Sequence, residues 1–266
     1  MAARREHTRK TTEEQVLKLG WMSTGRGPTS LALLRAVCED IDAGNLDARI
    51  SFVLTNRGPG EASQSDTFQE FVRSRGLSLV SESSREFRQR YSGDDWRTAF
   101  DRTMSDRIEH YDFDLIFLAG YMLIVSEFFC TRHLLLNLHP ALPGGPTGTW
   151  QEVMDELART CAREAGAMIH IVTPQLDRGP TTSYFTFSLE NEPFKSLREA
   201  GDTATLAATI REHEVRREFP LILCTLRALA QGEIVVSQRH IYDAEGTLLP
   251  QGCNLTEAVD SFTAGR

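Results

Sequence analysis

Apolar positions along the chain follow two alternating rhythms. Short continuous apolar runs read as strands covered on both faces: VLKLGWM at 16–22, ISFVLTN at 50–56 and FDLIFLAG at 113–120. Between them the apolar residues recur at helical spacing. SLALLRAVCEDI from position 30, residues 66–75 and residues 94–110 are the clearest cases, the last with Trp96, Phe100, Met104 and Ile108 along one stripe. LSLV at 77–80 predicts a short strand, and residues 134–138 and 166–173 predict two more. TWQEVMDELARTCAREA, from position 149, reads as an amphipathic helix, and YFTFSL at 184–189 as a strand. Residues 202–231 are helical, with a break or kink expected near Pro220, which has no N–H for the helix ladder. IVVSQRHIYD at 234–243 looks like the first arm of a terminal hairpin.

Strand, glycine turn and helix in that order open a doubly wound sheet. The pattern predicts one α/β domain over residues 16–252. Its sheet is mostly parallel and Rossmann-like, with helices on both faces and a smaller C-terminal half. Residues 1–15 read as a polar N-terminal extension, and residues 253–266 as a C-terminal tail. Neither an internal repeat nor a low-complexity segment is visible.

Composition narrows the function. A net charge of −8 argues against a general nucleic-acid binder, although it leaves room for a local basic pocket. Runs of the length of a membrane span are missing, and MAARREHTRKTTEEQ lacks the apolar core of a secretory signal. Five cysteines without C-x-x-C or metal spacing point to reduced thiols and a cytoplasmic location. Nothing in the spacing of His, Cys, Asp and Glu resembles a metal site.

Three stretches carry candidate chemistry. LLLNLHPALPGG at 134–145 is a strand-like run, and side-chain alternation puts Asn137 and His139 on one face at its end. HIVTPQLDRGP at 170–180 ends a second run with Asp177. An amide, an imidazole and a carboxylate together suit proton transfer at a carbonyl carbon. His170, inside the second run, reads as structural. A third stretch, Gly25-Arg26-Gly27 with Thr29 and Ser30, forms a glycine-bearing turn at a helix N-terminus, where free N–H groups attract phosphate, although the local sequence by itself reads as a plain tight turn. It lacks Gly-Lys-Ser/Thr, and Ser30 occupies the place of the third glycine of a dinucleotide fingerprint. A P-loop and a nicotinamide oxidoreductase are thereby disfavoured.

From about Leu17 to Gly252 the chain resembles the folate-dependent formyltransferases, and among them the branch acting on glycinamide ribonucleotide in purine synthesis. The landmarks are S-T-G-R-G-P-T-S-L at 23–31, V-L-T-N-R at 53–57, L-A-G-Y-M at 118–122, N-L-H-P at 137–140 and L-D-R-G-P at 176–180. The resemblance implies the formyltransferase fold and a transferase that moves a formyl group from 10-formyltetrahydrofolate, as cosubstrate and without a metal. It implies Asn137, His139 and Asp177 as catalytic residues. Leu118, Met122, Leu123, Ile124 and Val125 match the wall of the folate pocket, with Leu123 where relatives often carry Arg. Gly25, Arg26, Gly27, Thr29 and Ser30 match the acceptor's phosphate loop, Arg97 a substrate-contacting Arg, and Glu214 an acceptor-binding Glu one residue off register. Pro140 departs from the His-His of formyltetrahydrofolate hydrolases. The expected partners are small molecules, a folate donor and a phosphorylated amine, with no nucleic acid and no membrane; a homodimer stays open.

Gly144-Gly145-Pro146-Thr147-Gly148-Thr149-Trp150 replaces the family's usual segment after His139. That change keeps two alternatives in view: the same chemistry on another amine, such as an amino sugar nucleotide, and a nucleotide-binding homologue without turnover.

Overall fold

In a computed structural model, residues 16–265 are described. β1 (Leu17–Met22), α1 (Pro28–Asp42), β2 (Ala48–Thr55), α2 (Ser63–Ser74), β3 (Leu79–Ser81), α3 (Ser84–Arg90) and α4 (Trp96–Ile108) make the first half. β4 (Leu115–Leu118), α5 (Glu127–Arg132), β5 (Leu135–His139), α6 (Trp150–Arg159), β6 (Glu164–Ile171) and β7 (Thr181–Ser188) follow. α7 (Phe194–Glu199), α8 (Thr203–Ala230), β8 (Ile234–Ser237), β9 (His240–Asp243), β10 (Cys253–Asn254) and α9 (Thr256–Ala264) close the chain.

Eight strands form one sheet in the order β10-β7-β6-β5-β4-β1-β2-β3. β6 runs antiparallel to both β5 and β7; the other pairs are parallel. Strand alternation divides the core between the two faces. Leu19, Trp21, Val53, Leu115, Phe117 and Leu136 pack with α1 and α8. Met22, Phe52, Leu54, Ile116, Leu118 and Leu135 pack with α4 and α5. A mostly parallel sheet with helices on both faces is therefore what the chain forms, as its pattern predicted.

Several elements differ from the sequence reading. α8 runs unbroken for 28 residues through Pro220. Pro220 and Leu221–Leu223 are buried there, so packing outweighs the lost ladder bond. The helix expected through 165 stops at Arg159, and Cys161 at φ +50 turns the chain into β6. Residues 234–243 hold both arms of a hairpin, β8 with β9, as a separate two-stranded sheet. The segment from 253 is not a tail: β10 adds an edge strand to β7, and α9 buries Val259 against the sheet. α3, α5 and α7 span only six or seven residues, too short to show a helical period. The extension 1–15 lies outside the described residues. Among those described, no helix is long and apolar enough to cross a membrane.

Candidate active site

One register row crosses the sheet near its C-terminal edge. Leu54 pairs with Met22, Met22 with Leu118, Leu118 with Asn137, and Asn137 with His170. On this face the apolar core of Leu54, Met22 and Leu118 gives way to an amide and an imidazole. The site is thus a continuation of the second core in which buried apolar side chains are replaced by polar ones.

Four side chains converge there. Asn137 and His139 leave the same face of β5, as alternation requires. The Asn137 amide nitrogen lies 3.5 Å from His170 Nε2. His170 is buried, and its Nδ1 donates to the Ile171 carbonyl at 3.1 Å, so Nε2 is left as an acceptor for the amide. Burial pushes the His170 pKa down, which keeps this imidazole neutral. His139 Nε2 donates to the Pro146 carbonyl at 2.8 Å, and its Nδ1 faces Asp177 Oδ2 at 3.7 Å. Asp177 Oδ1 is 3.8 Å from His170 Nε2. Neither carboxylate distance is a direct hydrogen bond.

The backbone fixes this carboxylate. Asp177 sits at φ +54, a left-handed conformation that Asp tolerates better than most residues. Gly148 N–H donates to its Oδ2 at 3.3 Å. Gly179 must be glycine, because a Cβ there would stand 1.7 Å from the Ile171 carbonyl oxygen. The 144–150 segment contributes twice, through Pro146 O and Gly148 N, and it leads into a capping box at α6. Glu152 Oε2 accepts Thr149 N–H at 2.7 Å while Glu152 N–H donates to Thr149 Oγ1 at 3.3 Å.

The sequence reading missed His170 as a member of this group, along with the backbone groups of Pro146 and Gly148. The antiparallel register of β5 and β6, which sets His170 opposite Asn137, has no signature in a single sequence.

The other candidates divide. Leu118 is buried in the second core, and Leu123 and Val125 pack against that core. Met122 and Ile124 are exposed, at 64% and 55%. Leu176, beside Asp177, is 56% exposed. Gly25 takes φ +62 against Phe68, Arg26 and Thr29 are exposed, and Ser30 is half-buried. α1 begins with Gly27 as its cap and Pro28 in its first turn, and no side chain among the described residues caps it. Arg97 is exposed at the start of α4, 5.8 Å from the centre of the Trp96 ring.

Glu214 is fully buried on α8. Its Oε2 accepts from Arg211 Nη1 at 2.8 Å, and its Oε1 has no partner among the described residues. Arg211 also holds Glu218 at 2.5 Å and lies 5.2 Å from the ring centre of Trp150. One guanidinium serves two carboxylates. Burial, reinforced by Glu218, pushes Glu214 up to about 8.

Known proteins resemble the chain over much of its length. Phosphoribosylglycinamide formyltransferase of Escherichia coli is 28% identical over 160 residues, covering 59% of this chain and 69% of that one. The structure of a phosphoribosylglycinamide formyltransferase from Coxiella burnetii superposes with a TM-score of 0.64 at 22% identity, over 90% of this chain and 99% of its own. A formyltetrahydrofolate deformylase from Pseudomonas syringae shares the fold, with a TM-score of 0.58 at 18% identity over 86% of this chain and 66% of its own. Residues 29–184 match the formyl transferase family, and with more than half of its length in that match the chain belongs to this family.

Proposed function

We propose that this chain transfers a formyl group from 10-formyltetrahydrofolate to the primary amine of glycinamide ribonucleotide, through Asn137, His139 and Asp177. The observation that carries the reading is the convergence of amide, imidazole and carboxylate at the end of β5, with His139 Nδ1 3.7 Å from Asp177 Oδ2. Formyl transfer needs hydrogen-bond donors where charge develops on the formyl oxygen, and a base for the amine proton. An amide nitrogen has two hydrogens; Asn137 gives one to His170 and keeps the other for that oxygen. His139 spends its Nε2 hydrogen on Pro146, so Nδ1 carries the mobile proton. Asp177 faces Nδ1 and takes up the amine proton directly or through water. As the amine nitrogen bonds to the formyl carbon, the bond to the folate nitrogen breaks and the proton returns to that nitrogen.

The surroundings support both substrates. Exposed apolar side chains on neighbouring loops, Met122, Ile124 and Leu176, suit a flat ring system as donor. The open first turn of α1 suits an acceptor's phosphate. A second reading, the same chemistry on a different amine, is favoured by Trp150, 45% exposed over Arg211 in the altered 144–150 segment.

Incubation with 10-formyltetrahydrofolate, with and without glycinamide ribonucleotide, tests the assignment. The expected result is loss of the formyl donor only when that amine is present. Turnover with an amino sugar nucleotide alone would move the acceptor to the second reading. Formate release without any amine would make the protein a hydrolase.

A further inference from the structure

In this sheet the strand order reverses between β1 and β4, and the loops after these two strands diverge at that point. In open α/β sheets such a crevice at the carboxyl ends of the strands is where ligands bind. On the functional reading above, the loop after β1 (residues 23–27) leads to the acceptor's phosphate, and the loop after β4 (residues 119–125) to the donor's ring. The two loops touch through one buried residue that neither role assigns.

That residue is Thr24. Its side chain is fully buried, and each of its polar groups is committed. The hydroxyl accepts Met122 N–H at 2.8 Å and donates to Asn56 Oδ1 at 2.8 Å. The backbone N–H donates to Gly120 O at 3.2 Å, and the carbonyl accepts Ser65 Oγ at 3.1 Å. Asn56 passes the connection on: its amide donates to Ser84 Oγ at 3.2 Å at the start of α3. A second close approach backs up the first. Gly120 sits at φ +67, and a Cβ on it would stand 2.9 Å from Ser30 Oγ in the first turn of α1. Three segments therefore meet at one hydroxyl, the ends of β1, β2 and β4, and the start of α2 joins them through the Thr24 carbonyl.

We propose that Thr24 is a positioning residue that couples the two substrate loops, holding Met122 and Gly25 in one fixed relation. The Met122 N–H and the buried Asn56 amide oxygen share this one hydroxyl, so a shift of either loop breaks the bond between them and disturbs the hydroxyl that also serves Asn56. The arrangement places no reacting group on Thr24; it sets the distance between the bound donor and the bound acceptor. The proposal rests on the assignment of these loops to donor and acceptor, and its test separates the two.

Thr24→Val keeps the shape and removes both hydroxyl bonds, whereas Thr24→Ser keeps the hydroxyl. Two measurements apply to the full chain. In amide hydrogen exchange, Thr24→Val should speed exchange in peptides covering both 23–30 and 119–126, and Thr24→Ser should restore protection in both. Faster exchange in only one loop, or in neither, overturns the coupling, and this readout needs no substrate. In kinetics, Thr24→Val should raise KM for both substrates about tenfold, equivalent to about 1.4 kcal/mol for each, and Thr24→Ser should bring both back. A lower melting temperature with both KM values unchanged would reduce Thr24 to a structural residue and overturn the proposal. If the wild type turns over neither substrate while the exchange pattern appears as described, the coupling of the loops stands and the substrate assignment falls.

Discussion

His139 spends its Nε2 hydrogen on the Pro146 carbonyl, so its chemistry is confined to Nδ1, the atom that faces Asp177. Asp177→Asn tests that relation most cleanly. Asn tolerates the left-handed backbone at this position as well as Asp does, so the fold should hold while the charge is lost. Loss of a preorganised charge or donor of this kind costs about 100- to 1,000-fold in kcat. Steady-state assays should show that loss for Asp177→Asn and for Asn137→Ala, with circular dichroism unchanged for the former; near-normal turnover of Asp177→Asn would sink the mechanism. His139 is buried, so His139→Ala should also lower stability, which makes it the less clean probe. That Asn137 and His139 share a face was legible from alternation along β5, a local fact, whereas Asp177 was expected beside them only from the resemblance. His170 was not, because its place beside Asn137 depends on pairing between distant strands. Glu214 adds a pH effect. It is pushed up to about 8 from an ordinary value of 4.5, so the folded state holds its proton more tightly than the unfolded one. That contribution is complete below the unfolded value and is lost as pH rises through about 8. Urea unfolding from pH 5 to pH 9 should show declining stability across this window, with a shallower decline in Glu214→Gln. Equal slopes for the two proteins would show that Glu214 is ionised when folded.

The hairpin of β8 and β9 shows why some elements escaped the pattern. Its two-residue turn is Gln238-Arg239, at φ +48 and +62. Turns that match strand twist need positive φ at both positions and usually advertise themselves with Asn-Gly or Asp-Gly. Gln and Arg gave no such signal, so one arm absorbed the other. Arg239 explains why a strained residue is kept there. Its guanidinium reaches the carbonyls of Cys130, Thr131 and His133, at the carbonyl end of α5, at 2.5, 2.9 and 3.2 Å. It thereby ties the hairpin to the helix that follows the loop carrying Met122 and Ile124. Arg239→Ala should cost about 1.5–3 kcal/mol, the scale of a hydrogen bond to a charged group. Gln238 has no such duty, since its side chain is exposed. Gln238→Gly should relieve about 1–2 kcal/mol of left-handed strain against about 0.5–1 kcal/mol of added chain entropy. A modest net gain is therefore expected. Chemical denaturation of the two variants checks both, and a stabilised Arg239→Ala would contradict the account. Other elements stayed hidden for simpler reasons: α3, α5 and α7 are too short to show a period, and β10 is a two-residue strand made visible only by its neighbour β7.

For the molecule as a whole, the alternation of covered strands and amphipathic helices was enough to predict an α/β sheet with both faces clothed. Strand direction was beyond that pattern. A run of apolar residues is the same whether its strand lies parallel or antiparallel, and β6 enters antiparallel even though the helix α6 separates it from β5. This reversal shapes the candidate site, because it sets His170 beside Asn137, and the segment after β6 then folds back so that Asp177 comes within 3.7 Å of His139 and 3.8 Å of His170. On the proposed reading the site draws on four separate crossings of the sheet, at β1, β4, β5 and β6, and its parts come together only in the folded state. Ligands that bridge those parts should stabilise the whole fold by mass action. A ligand at about 100 times its dissociation constant adds about 2.7 kcal/mol to the folded state, and for a domain of this size each kcal/mol raises the melting temperature by about 2–4 °C. A non-reactive folate analogue and glycinamide ribonucleotide should each raise the melting temperature on that scale, together more than either alone. In Asp177→Asn the shifts should persist, because that change removes a proton acceptor while leaving both loops in place. A shift with the folate analogue and none with glycinamide ribonucleotide, while another phosphorylated amine gives one, would keep the donor site and replace the acceptor. No shift with the folate analogue at saturating concentration would remove folate from the reading altogether.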